Sequence, residues 1–403
     1  MTFRTAISGL RAATADLNVI GNNIANVNTS GFKGSRAEFS DVFAAVNTAT
    51  AGNGTGQGVN VSRVAQQFSQ GNLAFTDNPL DLAINGQGFF IVDQGGAQVF
   101  SRDGAFGLDR EGFIVNSGNQ RLKAFGTDSL GNINSALGTL QVTTANSAPN
   151  ASTNVALGAN LDSQQTAPLV TPFDATDSAT FNSTSAVTVF DSLGGSHLMQ
   201  FYFVKTGANA WDMHTSVDGT AVGAAQPLAF SSAGALTTPA NGELTLPAFT
   251  PSGGGAAMNV TLDVSRTTQF GAPFGINRAV QDGYTTGRLV GVDIDANGLV
   301  FARYTNGKSE VQGQVALANF ANPQGLRSIG ANNWAETFEA GSPLIGAPGS
   351  ANTGQIKSGA LEESNVDLSE QLVKLIVAQR NFQANTEVIQ TADATTQAII
   401  NIR

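Results

Sequence analysis

Apolar residues at the start of the chain recur every three and then four positions: Phe3, Ala6, Leu10, Ala13, Leu17, Ile20, Ile24 and Val27. A mean spacing of about 3.5 residues keeps one seam turned toward a partner helix. The far end carries a matching stripe, Leu368, Leu375, Ala378, Phe382, Ile389, Ala392 and Ile399, with Leu372 beside it and polar Gln371, Asn385 and Thr396 breaking it. Ser364 or Asn365 is placed to cap this second segment, and Asp367 falls in the first turn, where a helix favours negative charge. Both segments predict helices. Neither is a strong helix by itself, because Gly9 and Gly21 each cost about 1 kcal/mol relative to Ala, and Asn18, Asn22, Asn23 and Asn26 weaken the first further. Helices owe most of their stability to the packing of an apolar face. Each stripe therefore needs a partner, either the other end of this chain or the ends of a neighbouring copy.

Between the ends the pattern is β, from about residue 59 to 352. The run 80–92 alternates around Asn85-Gly86. A related pattern occupies 104–109 and 112–115 and recurs at 290–295, followed by Ala296-Asn297-Gly298 and a further apolar run. Short apolar runs broken by Asn-Gly or Asp-x-x-Gly turns predict hairpins. The similarity between 88–115 and 288–304 predicts one β domain interrupted by an insertion over roughly 145–284. That insertion is rich in Thr, Ser, Ala and Gly in 145–185 and 217–257, has strand patterns at 186–190, 198–204 and 260–264, and holds nine acids against three bases. The Gly/Thr/Asn tract 48–58 is typical of a mobile loop.

The expected fold class is multidomain α+β: paired N- and C-terminal coiled-coil helices plus mainly-β middle domains, one inserted in the other. Residues 1–31 and 363–403 form the terminal helical domain and 32–71 a connecting segment. Residues 72–144 and 285–362 form a β domain, and 145–284 an inserted outer β domain.

Composition removes most chemistry. The 403 residues include no Cys and only two His, which excludes disulfides, thiol catalysis and Cys-zinc sites and argues against triads and multi-His metal centres. A net charge of −10 without basic clusters argues against nucleic acid. No apolar run reaches the roughly 18 residues of a membrane span, and the first 17 residues lack the apolar core of a secretory signal. Charged residues are only 12%, so polarity rests on Ser, Thr, Asn, Gln and Gly.

Motifs with a chemical look have plainer readings. Asp293-Ile294-Asp295-Ala296-Asn297-Gly298 matches the first half of an EF-hand loop, yet the twelfth position is Tyr304 rather than Glu, so a hairpin turn is expected. His197 and His214 have no His or Cys close in sequence and are expected to be packed or solvent-facing. Glu362-Glu363 is expected to be a solvated linker. Ser252-Gly253-Gly254-Gly255 lacks the Lys-Ser/Thr of a phosphate loop and reads as a loop tip. The 25 Phe are expected, in the simplest reading, to serve mainly as filling for β cores. No catalytic constellation, cofactor or metal is expected, and the chain is expected not to be an enzyme.

One segment is more specific. Gly21-Asn22-Asn23-Ile24-Ala25-Asn26-Val27-Asn28-Thr29-Ser30-Gly31-Phe32-Lys33 resembles the N-terminal signature of the flagellar rod and hook axial proteins. The stretch from Ser364-Asn365-Val366-Asp367-Leu368 to Val377-Ala378-Gln379-Arg380-Asn381-Phe382-Gln383-Ala384-Asn385 is similar to that family's last helix. Asn78-Pro79-Leu80-Asp81-Leu82-Ala83-Ile84-Asn85-Gly86, followed by Gly88-Phe89-Phe90, matches a third motif in the family's order. The large insertion favours a hook member over a rod member; a distal-rod or hook-associated protein, or an extracellular β-rich adhesin, are the alternatives. The resemblance implies a subunit exported through the flagellar type III channel without a cleaved signal, polymerising with itself into a curved hollow tube that acts as a universal joint between motor or rod and filament. Implied partners are the rod and hook-associated junction proteins, with the hook cap and export apparatus during assembly; neither nucleic acid nor membrane insertion is implied. Subunit packing is expected at Phe3, Leu10, Leu17, Ile20, Ile24, Val27, Leu368, Leu372, Leu375, Phe382, Ile389 and Ile399. The signature residues are Asn22, Asn23, Ile24, Ala25, Asn26, Gly31, Phe32 and Lys33.

Overall fold

The computed structural model describes residues 2–42, 56–128, 131–350 and 352–401, without the side chains of Thr2 and Ile399. The tract 48–58 thus lies outside the described residues up to position 55. Among the described residues the chain is mainly β, with α-helix confined to α1 (Thr2–Ala25) and α2 (Leu368–Asn401). It divides into two compact units: 1–144 with 291–303 and 309–403, and 145–290 with 304–308.

In the first unit, α1 and α2 pack along each other. The Asn385 carboxamide lies where a Cβ on Gly9 would sit, and Asn23 Nδ2 donates to Gln371 Oε1 at 3.3 Å. About four turns separate these two contacts on either helix, so the helices run antiparallel, with Leu17 at the level of Ala378 and Ala6 at that of Ile389. The first helix stops short of the predicted stripe. Asn26 Nδ2 turns back onto the Asn22 carbonyl at 2.9 Å, its backbone N–H is shared between Asn22 and Asn23 carbonyls, and Val27 sits in the turn that follows. An Asn that bonds local backbone in this way competes with helix continuation. At the other helix the cap is Asp367, and neither Ser364 nor Asn365. Asp367 Oδ1 accepts from Ser369 N at 2.7 Å and Glu370 N at 3.1 Å, while the Asn365 side chain is committed to Gly34 N and Gln67 O.

Strand structure begins earlier than the pattern suggested. Strands β1 (Ser35–Asp41) and β2 (Val59–Gln66) form an antiparallel pair packed on α1. Next, β3 (Leu73–Phe75) pairs with 360–362, and β4 (Leu82–Asn85) with 355–358. Asn85-Gly86 is therefore not a hairpin turn. Gly86 and Gly88, at φ +119° and +121°, carry the chain out of one sheet into another in a conformation that L side chains rarely adopt, and the Gly354 Cα would stand a tight 3.1 Å from a Cβ on Gly86. Beyond it, 89–94 pairs with 97–101, 121–127 and 317–319, and 121–127 also pairs with 309–315. Segments from both flanks of 145–284 thus share one sheet. Its core holds Phe89, Phe100, Phe320 and Trp334 in edge-to-face contacts, the tightest being Phe100–Phe320 at 4.8 Å. The turn at 295–298 is a hairpin turn as expected: Asp295 Oδ1 accepts from Asn297 N and Leu299 N, and Asp293 is paired with Arg303.

The second unit is a two-sheet sandwich. One sheet holds 154–162 with 261–263, 268–270 and 275–281; the other runs 183–190, 196–207, 210–217, 226–230 and 236–238. Both inner faces feed one core of Val155, Leu157, Phe201, Phe203, Trp211 and Leu262. Alternation decides which side chains enter: Ser185, Val187 and Val189 point in, and Ala186 and Thr188 out. His197 is packed, with Nδ1 2.6 Å from Asp218 Oδ2 and Nε2 3.3 Å from Asp191 Oδ2. Burial disfavours the charged ring, but the hydrogen bonds to Asp218 and then Asp191 outweigh it and raise the His197 pKa above the ordinary value. His214 stacks on Phe173, centroids 3.9 Å apart, and burial lowers its pKa.

Candidate functional site: the terminal helices and their base

The seam residues separate by exposure. Ile20 and Ala378 are buried; Leu10, Leu17, Ile24, Leu375, Phe382 and Ile389 are half-buried between the helices, as is Val27 in its turn. Phe3, Leu368 and Leu372 are exposed, and the Ile399 side chain lies outside the described residues. The seam includes polar pairs: Asn23 and Gln371 are both buried and bonded to each other. Polar Gln371 and Asn385, which break the C-terminal stripe in sequence, mark the positions facing Asn23 and Gly9.

α2 has a second apolar face. Leu372, Val373, Ile376 and Val377 follow the i, i+1, i+4, i+5 pattern of one outward side, and each is at least 44% exposed. Nothing within the described residues covers this side.

The signature residues build the base of the helix pair. Asn23 spans α1 and β1, donating to Ser35 O at 2.7 Å and accepting from Ser35 N at 2.9 Å. Gly31, at φ +68°, lies against the Arg102–Asp103 backbone with no room for a Cβ. Phe32 is half-buried, and Asn22 and Ala25 are exposed. Lys33 is fully buried: its ammonium donates to Glu362 Oε1 at 2.5 Å and to Ser69 O at 2.8 Å. Glu362 Oε2 accepts from Arg102 Nη1 at 3.0 Å, and Gly71 N donates to Oε1 at 2.9 Å. Burial lowers the Lys33 and Arg102 pKa values, and the attraction of Glu362 offsets this only in part.

Glu362 overturns the expectation of a solvated Glu362-Glu363 linker. Its side chain is 0% exposed because strand 360–362 pairs with β3 and turns that carboxylate inward, leaving Glu363 outside. Two cations around one carboxylate knit together the end of α1's turn, the β sheet and the strand entering α2. Neither Arg102 nor Glu362 carries a sequence signal for this, although Lys33 closing the signature marks one corner. Among the described residues no group of three or more His, Asp or Glu is arranged to hold a metal ion, and no helix is long and apolar enough to cross a membrane.

Four family models match the chain in order. Residues 3–33 match the flagella basal body rod protein, 83–160 the flagellar hook protein FlgE/F/G D1 domain, 160–284 the flagellar basal body protein FlaE D2 domain, and 357–402 the flagellar basal body rod FlgEFG protein C-terminal model. The flagellar hook protein FlgE of Salmonella typhimurium is 39% identical over 100% of both chains. That of Rhizobium meliloti is 35% identical, over 100% of this chain and 98% of its own, and that of Borreliella burgdorferi 32%, over 99% and 98%. The crystal structure of Helicobacter pylori flagellar hook protein FlgE2 shares the fold, with a TM-score of 0.52 at 15% identity over 72% of this chain and 100% of that one. Full-length identity above 30%, with the family models in chain order, means that the chain belongs to the flagellar hook proteins.

Proposed function

We propose that this chain is the structural subunit of a flagellar hook, polymerising with itself into a curved hollow tube that transmits torque as a universal joint. The observation that carries the reading is the uncovered apolar side of α2 (Leu372, Val373, Ile376 and Val377), on a helix already packed along its other side. A helix with two apolar sides needs two neighbours. In this reading 1–31 and 363–403 form the coiled-coil inner layer and 32–71 the connection. Residues 72–144 with 285–362 form the intermediate β layer, and the inserted 145–284 the outermost. The subunit leaves the cell through the flagellar export channel without a cleaved signal and joins the rod at one end of the hook and junction proteins at the other. A bent rotating tube lengthens and shortens every lateral contact once per turn. Few charged residues and a Ser/Thr/Gly-rich outer unit suit contacts that slide without ion-pair locks.

Negative-stain microscopy of the purified chain, concentrated under salting-out conditions, tests this. Curved tubes of uniform diameter are expected; monodisperse particles at every concentration would exclude a self-assembling hook subunit.

A further inference from the structure

α2 runs past α1. The register set by Gly9 against Asn385 and Asn23 against Gln371 brings the first residue of α1 level with about residue 392. The nine residues from Asp393 to Asn401 continue for roughly 13 Å with no helix beside them among the described residues. Every side chain described there is exposed, Ile400 at 66%, and Asp393 has no hydrogen-bond or ion-pair partner among the described residues. Asp393 and Ile400, seven residues apart, lie on one side of the helix.

A groove of about 390 Å³ lies between α1 and the β1–β2 pair, lined by Arg4, Ile7, Ser8, Arg11, Val42 and Val61 among others. Its lining is mixed: Ile7, Val42, Val59 and Val61 are apolar, Ser8, Gln57 and Asn60 are polar, and Arg4 and Arg11 add two cations. Arg4 and Arg11, again seven residues apart on one side of α1, are exposed and have no carboxylate partner among the described residues. Two cations without a carboxylate partner beside these apolar side chains suit a segment that carries an acid and an apolar residue on one side.

Building on the hook reading, we propose that the overhanging end of α2 of a second copy occupies this groove, with Asp393 against Arg4 and Arg11 and Ile400 over the valines. Charge supports this occupant: α1 presents Arg4 and Arg11, whereas α2 beyond Arg380 presents only Glu387 and Asp393 among its described residues. The contact is heterologous, since overhang and groove are different surfaces, and repeats from copy to copy into an open helical array.

Charge reversal tests it in the full-length chain. The R4E/R11E variant and the D393R variant should each raise the critical concentration for tube formation about fivefold, and the combined variant should return to within about twofold of wild type. All three positions are exposed, so unfolding monitored through Trp334 should not move. Because the chain has no Cys, R11C copies mixed with Q397C copies should yield mixed disulfide dimers in tubes and not in dilute monomer. Tubes at the wild-type concentration from both reversed variants, or a combined variant no better than its parents, would overturn the docking and leave the hook reading standing. Charge effects without the R11C–Q397C dimer would assign the groove to another acidic segment and also overturn it. Wild-type chains that never form tubes would remove both proposals together.

Discussion

The sandwich of 145–290 and the terminal helix pair solve burial differently. In the sandwich, Val155, Phe201, Phe203, Met213, Val260 and Leu262 are each 0% exposed within a single chain. In the helix pair most seam residues stop at half-burial and an entire apolar side of α2 faces outward. One region is finished by its own chain, and the other leaves apolar surface uncovered among the described residues. In the hook reading proposed above, the difference separates where a polymer subunit keeps its stability from where it keeps its adhesiveness. Core substitutions in the sandwich should change melting; seam substitutions should change assembly.

The largest expected effect is in the sandwich. Phe201→Ala removes a fully buried ring and should destabilise that unit by about 3–5 kcal/mol. One Trp lies in each unit, Trp211 and Trp334, so a Trp334→Phe background reports the sandwich alone and Trp211→Phe reports the other unit. The Trp211 denaturation midpoint should fall while the Trp334 midpoint holds. Equal movement of both would show that the two units unfold as one.

Next comes the base of the helix pair. Lys33→Met leaves Glu362 with Arg102 as its one remaining cation in a site closed to water, and should lower the stability of the first unit by about 3 kcal/mol. Glu362→Gln should be comparable, since it strands two buried cations. Trp334, whose Nε1 donates to Gln66 Oε1 at 3.0 Å, reads the change. A loss below about 0.5 kcal/mol would mean that water or relaxation replaces the lost partner.

What sequence revealed and what it hid follow one physical line. The stripes at Leu10, Leu17, Ile24, Leu375, Phe382 and Ile389 were visible because helical periodicity is local, as was the Asp295 hairpin turn. Glu362 was hidden because its partner Lys33 is 329 residues away and no local pattern marks a carboxylate about to be buried. Asn85-Gly86 misled for the same reason: its dipeptide fits a hairpin, but the partner of β4 arrives from 355–358. The Asp367 cap was a near miss, since Ser364, Asn365 and Asp367 are all competent, and tertiary bonds to Gly34 and Gln67 remove Asn365.

The seam itself should respond less in the monomer. Phe382→Ala removes a half-buried ring and should weaken helix packing by about 2 kcal/mol. That energy should appear as a critical concentration raised by about 30-fold, with both tryptophan midpoints unchanged. Leu17→Ala should behave alike, and Leu17→Asp worse, because it places an unpaired charge in the seam. Asn18→Ala, on the exposed side, is the control. If Phe382→Ala instead lowers the Trp334 midpoint and assembles normally, the helix pair belongs to the finished part of the molecule and the contrast between regions collapses.

The smallest effect is a pH dependence confined to the sandwich. The His197 pKa is raised there, so its contribution is fully present below the ordinary histidine value and is lost as pH rises through the raised one. Hydrogen bonds from His197 and from backbone amides hold Asp218 and Asp191 below the usual carboxylate range, although burial of Asp191 works against this. Their contribution is lost only as pH falls through those lowered values. The cluster therefore stabilises the unit most in mildly acid solution, between the carboxylate range and neutrality, and weakens toward alkaline pH. Asp218 is 37% exposed, so solvent screens part of the pairing and the loss should be at most about 1 kcal/mol. In the Trp334→Phe background, the Trp211 denaturation midpoint should fall between pH 6 and pH 9, and His197→Gln should flatten that slope. The Trp334 midpoint, read in Trp211→Phe, should not respond to His197→Gln at any pH. A slope at Trp211 that survives His197→Gln would assign the dependence to groups outside this cluster.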